Sequence, residues 1–167
     1  PTGDLLTFKC LANSIISTPE AQFVDADIKD FYLNTPMPRP EYMYVPRHMI
    51  PDELIVEYKL APLFRANIIL AEINKGMYGL PQAGRLAYDR LRLHLAKAGY
   101  TPTGTTPGLW KHITNDIKFI LVVDDFGVKF TNMKHATHLF NHLRTQYSIT
   151  TDWQGKSFCG ITLDWDY

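Results

Sequence analysis

Two aspartates, Asp124 and Asp125, stand side by side between two apolar runs, Ile117–Val123 and Phe126–Phe130. Short β-rich runs separated by so little predict two antiparallel strands joined by a tight turn, with the carboxylates at its apex. Adjacent carboxylates repel each other and resist losing water. One reading is a solvated turn, where Asp is common. The other is a hard-cation site, because a bound cation removes the repulsion and takes oxygen ligands. The second reading needs another carboxylate from elsewhere. Asp25 and Asp27 offer one, since a strand over Phe23–Ile28 turns Phe23, Asp25 and Asp27 to one face. Their alternative is a polar strand end. Periodicity chooses neither Asp25 nor Asp27 and does not place them beside the hairpin. If they meet it, three carboxylates at one sheet end supply what two-metal phosphoryl transfer requires, with ions about 4 Å apart.

The remaining pattern predicts an α+β layer: an antiparallel or mixed sheet backed by two helices. Thr2 or Asp4 caps a first helix to about Ser17, and Thr18-Pro19-Glu20 breaks it. The stretch 36–63 holds six of the eleven prolines and predicts an irregular excursion. Within it lie an extended piece at Tyr42–Val45 and a short helix near Asp52–Leu60. A strand follows at Ile68–Ile73 and a Gly-rich loop at Lys75–Gly84. A helix at about Arg85–Ala98 ends at Gly99. Leu109–Ile113 and Ile117–Val123 form a hairpin over Thr114-Asn115-Asp116. Asn132 caps a last helix to about Tyr147, and Lys156–Leu163 closes as a strand. With 46% hydrophobic and 20% charged residues, the 167-residue chain is ordinary for a folded domain rather than a disordered one. Lys plus Arg and Asp plus Glu total 17 each, so no global field advertises or excludes nucleic acid. No apolar run approaches a membrane span; Phe119–Val123 stops at the aspartates. Cys10 and Cys159 fit neither a disulfide framework nor a zinc ribbon, which suggests a reducing compartment. The chain starts at Pro rather than Met, so an excerpt from a longer polypeptide is expected.

Four segments carry a resemblance. Asp27-Ile28-Lys29-Asp30-Phe31-Tyr32-Leu33-Asn34, Lys75-Gly76-Met77-Tyr78-Gly79-Leu80-Pro81-Gln82-Ala83, Val122-Val123-Asp124-Asp125 and Gly155-Lys156-Ser157-Phe158-Cys159-Gly160-Ile161 occur in this order. Together they resemble the reverse transcriptase of copia-type LTR retrotransposons, whose pattern runs D-V-K-x-A-F-L-N, L-Y-G-L-K-Q-A-P-R, Y-V-D-D and G-x-x-K-x-F-L-G-I. The resemblance extends from about Val24 to Asp164. It implies a polymerase palm at 20–35 and 76–167 and a fingers-like excursion at about 36–75. The implied reaction is RNA-directed DNA synthesis: a primer 3′-OH attacks the α-phosphate of a dNTP at two Mg²⁺ ions, for which Mn²⁺ can substitute. Asp27 and Asp124 match the metal-bridging aspartates, Asp125 their acidic neighbour, and the Ile28 carbonyl a further ligand. Tyr32 matches a steric gate against the 2′-OH, and Gln82 a residue touching the nascent base pair. Arg85 is either a template or triphosphate contact or an exposed helix-start arginine. Lys156 matches a lysine that protonates pyrophosphate, or is a surface lysine. Implied partners are an RNA or DNA template with primer, dNTPs, and the thumb, RNase H and integrase parts of a polyprotein, with no membrane. The implied setting is cytoplasmic, in a virus-like particle, with a nuclear phase.

The pattern also departs from the family. Val122 stands where the family has tyrosine, and Gly84-Arg85 where it has Pro-Arg. Without the upstream fingers strands, thumb and RNase H, little activity is expected of this stretch alone. A domesticated remnant that only binds nucleic acid, or serves a structural purpose, is the principal alternative; a metal-dependent nuclease is another. His135, His138 and His142 recur along one helix, where a solvated flank is expected rather than a transition-metal site. Trp110 is expected in the core.

Overall fold

Alternating side chains on the strand Gln22–Ile28 face two different layers, and this divides the fold. In a computed structural model that describes residues 2–166, the elements are α1 (Leu5–Ile16), β1 (Gln22–Ile28), β2 (Pro36–Pro46), α2 (Asp52–Glu57), β3 (Ile68–Lys75), α3 (Ala83–Ala96), β4 (Tyr100–Pro102), β5 (Leu109–His112), β6 (Ile117–Val122), β7 (Asp125–Phe130), α4 (Met133–Arg144), β8 (Ile149–Asp152), β9 (Ser157–Phe158) and β10 (Ile161–Thr162). The architecture is α+β with antiparallel sheets. No helix among the described residues is long and apolar enough to cross a membrane.

The chain divides into two compact units, residues 1–31 with 87–167, and residues 32–86. The first holds a six-stranded antiparallel sheet in the order β4-β5-β6-β7-β1-β8. On β1, Val24, Ala26 and Ile28 point to one face and are no more than 1% exposed. Register continues that face through Val128 and Phe119, and Trp110 stacks on Phe119 at 5.7 Å. Helices α3 and α4 cover it. Tyr88 of α3 meets Trp110, and Tyr100, edge-on to Phe119, bonds His138 of α4 at 2.8 Å. Trp110 is in the core, as its apolar strand predicts.

The other face carries Phe23, Asp25 and Asp27. Helix α1 packs there through Phe8, Leu11 and Ile15, in a cluster with Phe23, Ile120 and Phe158. Asp4 caps α1, its carboxylate accepting the Thr7 amide at 2.7 Å. The expected arrangement of two helices behind a sheet therefore becomes two behind and one in front. The expected single closing strand is a tight hairpin instead: Phe158 pairs with Ile161 across Cys159-Gly160. Cys159 and Gly160 both have positive φ, 47° and 77°, the signature of a type I′ turn.

The second unit is built on the β2–β3 hairpin, with Glu41–Pro46 paired to Ile68–Ile73 and a register irregularity after Pro36. The proline-rich stretch is thus more extended than an irregular excursion, because prolines Pro36, Pro38 and Pro40 lie on a strand with one neighbour only.

Helix α4 runs from its Asn132 cap, which accepts the Lys134 amide at 3.0 Å. The solvated flank expected for its histidines does not hold at His142. Its ring stacks on His94 of α3 at 4.1 Å, and each Nε2 lies within 2.9 Å of the other residue's carbonyl.

A prediction follows from the Cys159-Gly160 turn. Asparagine tolerates the left-handed first position of a type I′ turn better than cysteine. Cys159→Asn should raise stability by about 0.5–1 kcal/mol, read as a higher urea midpoint; an unchanged or lower midpoint counts against the turn assignment.

Candidate functional site

The sheet end where β1 finishes and the β6–β7 turn begins gathers the carboxylates. Antiparallel pairing sets Asp27 opposite Asp125, and Asp25 opposite Gly127 on one side and Asp152 on the other. Directly opposed residues share a face, so Asp25, Asp27, Asp125 and Asp152 all project from the α1 side of the sheet. Asp124 sits in the two-residue turn between Val122 and Asp125, which pair. Its backbone is tied to β1, the Ile28 amide donating to the Asp124 carbonyl at 3.1 Å. Ile28 itself is 1% exposed, locked into the apolar face.

Gathering these groups perturbs them. Burial, then Asp125, Asp152 and Asp27, push the Asp25 carboxyl up to about 7. Asp25 Oδ1 is buried without a hydrogen-bond partner. Burial and the charges of Asp124 and Asp125 raise the pKa of Asp27, with Lys29 offsetting part of the rise. Burial chiefly raises Asp124, and Asp125 adds to it. Cys159, placed by the β9–β10 turn, points its thiol at Asp125 Oδ2 at 3.6 Å. Burial and the surrounding carboxylates push that thiol up to about 12, so it is a neutral donor rather than a nucleophile.

A half-buried, all-oxygen, mutually repelling donor set with an orphaned carboxylate oxygen fits a hard divalent cation. Among the described residues no group of three or more His, Cys, Asp or Glu side chains closes into a ready-made cage. The carboxylates converge on one sheet end without clasping it.

The turn carrying Asp124 is strained. Val123 has φ 59°, while Asp124 does not share the positive φ. This is the pattern of a type II′ turn, whose first central residue is ordinarily glycine. A β-branched residue there is an outlier, of the kind that tends to mark functional sites.

The other sequence-predicted residues are distributed as follows. Lys156 is exposed in the turn after β8, its amide donating to Asp152 Oδ2 at 2.9 Å. It lines an open cavity of about 470 Å³ with Trp165 and Asp164, and is not among the charges that shift Asp25, Asp27 or Asp124. Tyr32, Gln82 and Arg85 belong to the second unit. There the Tyr32 ring meets Tyr78 edge-on at 4.9 Å. The Gly-rich loop closes around it: a Cβ at Gly76 would lie 2.6 Å from the Tyr32 carbonyl oxygen, and one at Gly84 3.3 Å from its hydroxyl. Turn geometry alone explains Gly79, at φ +92°. Close approach to Tyr32 explains Gly76. Gln82 donates to Glu41 Oε1 at 2.7 Å, and Arg85 is exposed at the start of α3.

Sequence reasoning missed Asp152 and Cys159 as members of the acidic face. Asp152 reaches it only through the β1–β8 pairing, and Cys159 only through a two-residue hairpin. Neither carries a local signal.

No protein-family model matches the chain, and no solved structure matches it at a significant level.

The acidic face has a pH signature. Asp25 titrates near 7 when folded and near 3.8 when unfolded. The folded state therefore holds a proton that the unfolded state has released at intermediate pH. The stability this contributes is complete below about pH 4 and is lost as pH rises through about 7. In metal-free buffer the urea midpoint should fall between about pH 5 and pH 8, and Asp25→Asn should flatten that fall. A slope unchanged by Asp25→Asn would rule out Asp25 as its source.

Proposed function

We propose that this chain is the palm-centred core of an RNA-directed DNA polymerase, with residues about 36–75 supplying part of the fingers, and that it comes from a copia-type retroelement polyprotein. The observation that carries the reading is the β1–β7 register. It sets Asp27 opposite Asp125 and fastens Ile28 to Asp124. Nearly a hundred residues separate the first aspartate from the pair, yet the sheet delivers them to one end.

Asp27 and Asp124, with Asp125 and the Ile28 carbonyl, would hold two Mg²⁺ ions. Bound there, the ions would acidify the primer 3′-OH and neutralise the triphosphate. The chain's own residues perform the rest. The β1–β7 pairing fixes the spacing of Asp27 and Asp125, so little reorganisation precedes reaction. The raised carboxylate pKa values express the same repulsion that a divalent cation relieves.

Tyr32 is suited to a gate because its ring is held. Tyr78 meets it edge-on, and the missing side chain of Gly84 leaves room for its hydroxyl. A fixed ring discriminates by clash, excluding a sugar that bears a 2′-OH. Gln82 would exchange Glu41 for the nascent base pair, and Arg85 would contact template or triphosphate. Lys156 would act as the general acid towards pyrophosphate. Template, primer and dNTPs are the partners this reading requires.

Two substitutions test it in a polypeptide that also carries the thumb and RNase H. Asp124→Asn should reduce Mg²⁺-dependent primer extension by about 10²–10³ or more while circular dichroism stays native. Near-normal extension would defeat the metal assignment, and strand cutting without extension would favour a nuclease. Tyr32→Ala should lower discrimination against ribonucleotides by about tenfold or more, read from the ratio of kcat/KM values. Unchanged sugar selectivity would remove the gate.

A further inference from the structure

The turn that carries Asp124 is unfavourable by itself, and a segment remote in sequence braces it. At the outer edge of β6, beyond the start of β5, the Leu121 amide donates to the Gly108 carbonyl at 2.8 Å and the Leu121 carbonyl accepts the Gly3 amide at 2.8 Å. Two residues nearer the apex, Thr2 Oγ1 accepts the amide of Val123 at 3.1 Å. The crossing of the two backbones is closed to any side chain. A Cβ at Gly108, whose φ is +74°, would lie 2.1 Å from the Gly3 nitrogen, and a Cβ at Gly3 would lie 2.4 Å from Ile120 Cγ1. Two glycines are therefore spent on bringing Thr2 beside the turn.

We infer that Thr2, Gly3 and Gly108 form a bracket that holds Val123 at its positive φ and so aims Asp124, making Thr2 a positioning residue for the proposed metal chemistry. The inference rests on that reading for its chemical consequence, though not for the bracket itself. Val123 is 39% exposed, so burial of its side chain does not pin the turn. Its backbone is held instead from both sides: Thr2 takes the Val123 amide, and the Ile28 amide takes the Asp124 carbonyl. A strained residue persists only where its surroundings over-determine it. An ordinary edge closure would need the Gly3–Leu121–Gly108 bonds alone. The Thr2 hydroxyl adds two bonds, donating to the Leu121 carbonyl at 3.5 Å and accepting from the amide of the strained residue itself.

Thr2→Val keeps the shape of the side chain and removes the hydroxyl, and with it both the bond from the Val123 amide and the longer one to the Leu121 carbonyl. Two measurements on the 167-residue chain decide the matter, both well below its unfolding midpoint. In hydrogen exchange the Val123 amide should lose protection by about three- to tenfold, with Thr2→Ser restoring it. Mn²⁺ affinity, read by water-proton relaxation with the metal alone, should fall by a similar factor and recover in Thr2→Ser. Glycine adopts positive φ without strain, so in a Val123→Gly background Thr2→Val should change Mn²⁺ affinity by less than about twofold. Gly108→Ala is the harsher variant and risks misfolding, so the conclusion rests on Thr2. An unchanged Val123 amide in Thr2→Val overturns the bracket. Faster exchange with unchanged Mn²⁺ affinity leaves a purely structural clasp and overturns the positioning role. Absence of Mn²⁺ binding in the unmodified chain defeats the metal reading, while the exchange measurement still decides the bracket.

Discussion

The antiparallel register between β1 and β7 is the constraint on which the rest depends. Side chains alternate along a strand, so a slip of one residue would exchange its two faces. Val24, Ala26 and Ile28 would then lose the core under α3 and α4, and Asp25 and Asp27 would enter it. Burying two carboxylates there costs far more than any gain in pairing. The apolar face therefore selects the register, and the register delivers the opposite face as a consequence. Asp27 meets Asp125 because Ala26 and Ile28 must be buried. The acidic face is thus held together by hydrophobic packing on its reverse, against its own electrostatics.

Much of this was legible where local pattern and tertiary demand agree. The Asp4 and Asn132 caps, the Gly99 terminator and the helices they bound are written in short-range signals. So is the β6–β7 hairpin, though its turn falls one residue early on Val123-Asp124 and leaves Asp125 on β7 rather than at the apex, and so is the shared orientation of Asp25 and Asp27. The pairings that complete the site are not. Strand β4 is three residues long and β8 four, too short to show alternation. Asp152 joins the acidic face only because β8 lies next to β1. Position in sequence was equally silent about which side α1 would take. Its apolar stripe fits either face, and the choice is made by Phe23 and Phe158, which offer Phe8 aromatic partners.

The glycines show why a motif in sequence and its physical cause must be separated. Gly76 and Gly79 lie in the loop after β3 and Gly84 in the first turn of α3, and turn geometry is the natural sequence reading of all of them. Only Gly79 has a positive φ. Gly76 and Gly84 instead leave space around Tyr32. An alanine at Gly79 would strain the backbone and meet nothing, whereas an alanine at Gly76 would displace the backbone of Tyr32. Substitutions in one loop thus act through different residues, and only those near Tyr32 bear on the proposed gate.

Three departures from local preference lie around the carboxylates. Val123 and Cys159 take positive φ at the tips of two hairpins, and an oxygen of Asp25 is buried without a partner. Positive φ also falls at Glu20, Asp30, Lys59, Ala66 and Asn67, in other turns, and Trp110 Nε1 in the core is likewise buried without a partner. A sequence under no demand but stability would place glycine at Val123 and asparagine at Cys159, and would not line a buried strand with aspartate. Each departure is cheap to repair by a single substitution, and the three lie at one sheet end. At this sheet end the proposed demand for closely set carboxylates on a rigid turn would account for all three, whereas the other positive-φ residues sit in other turns.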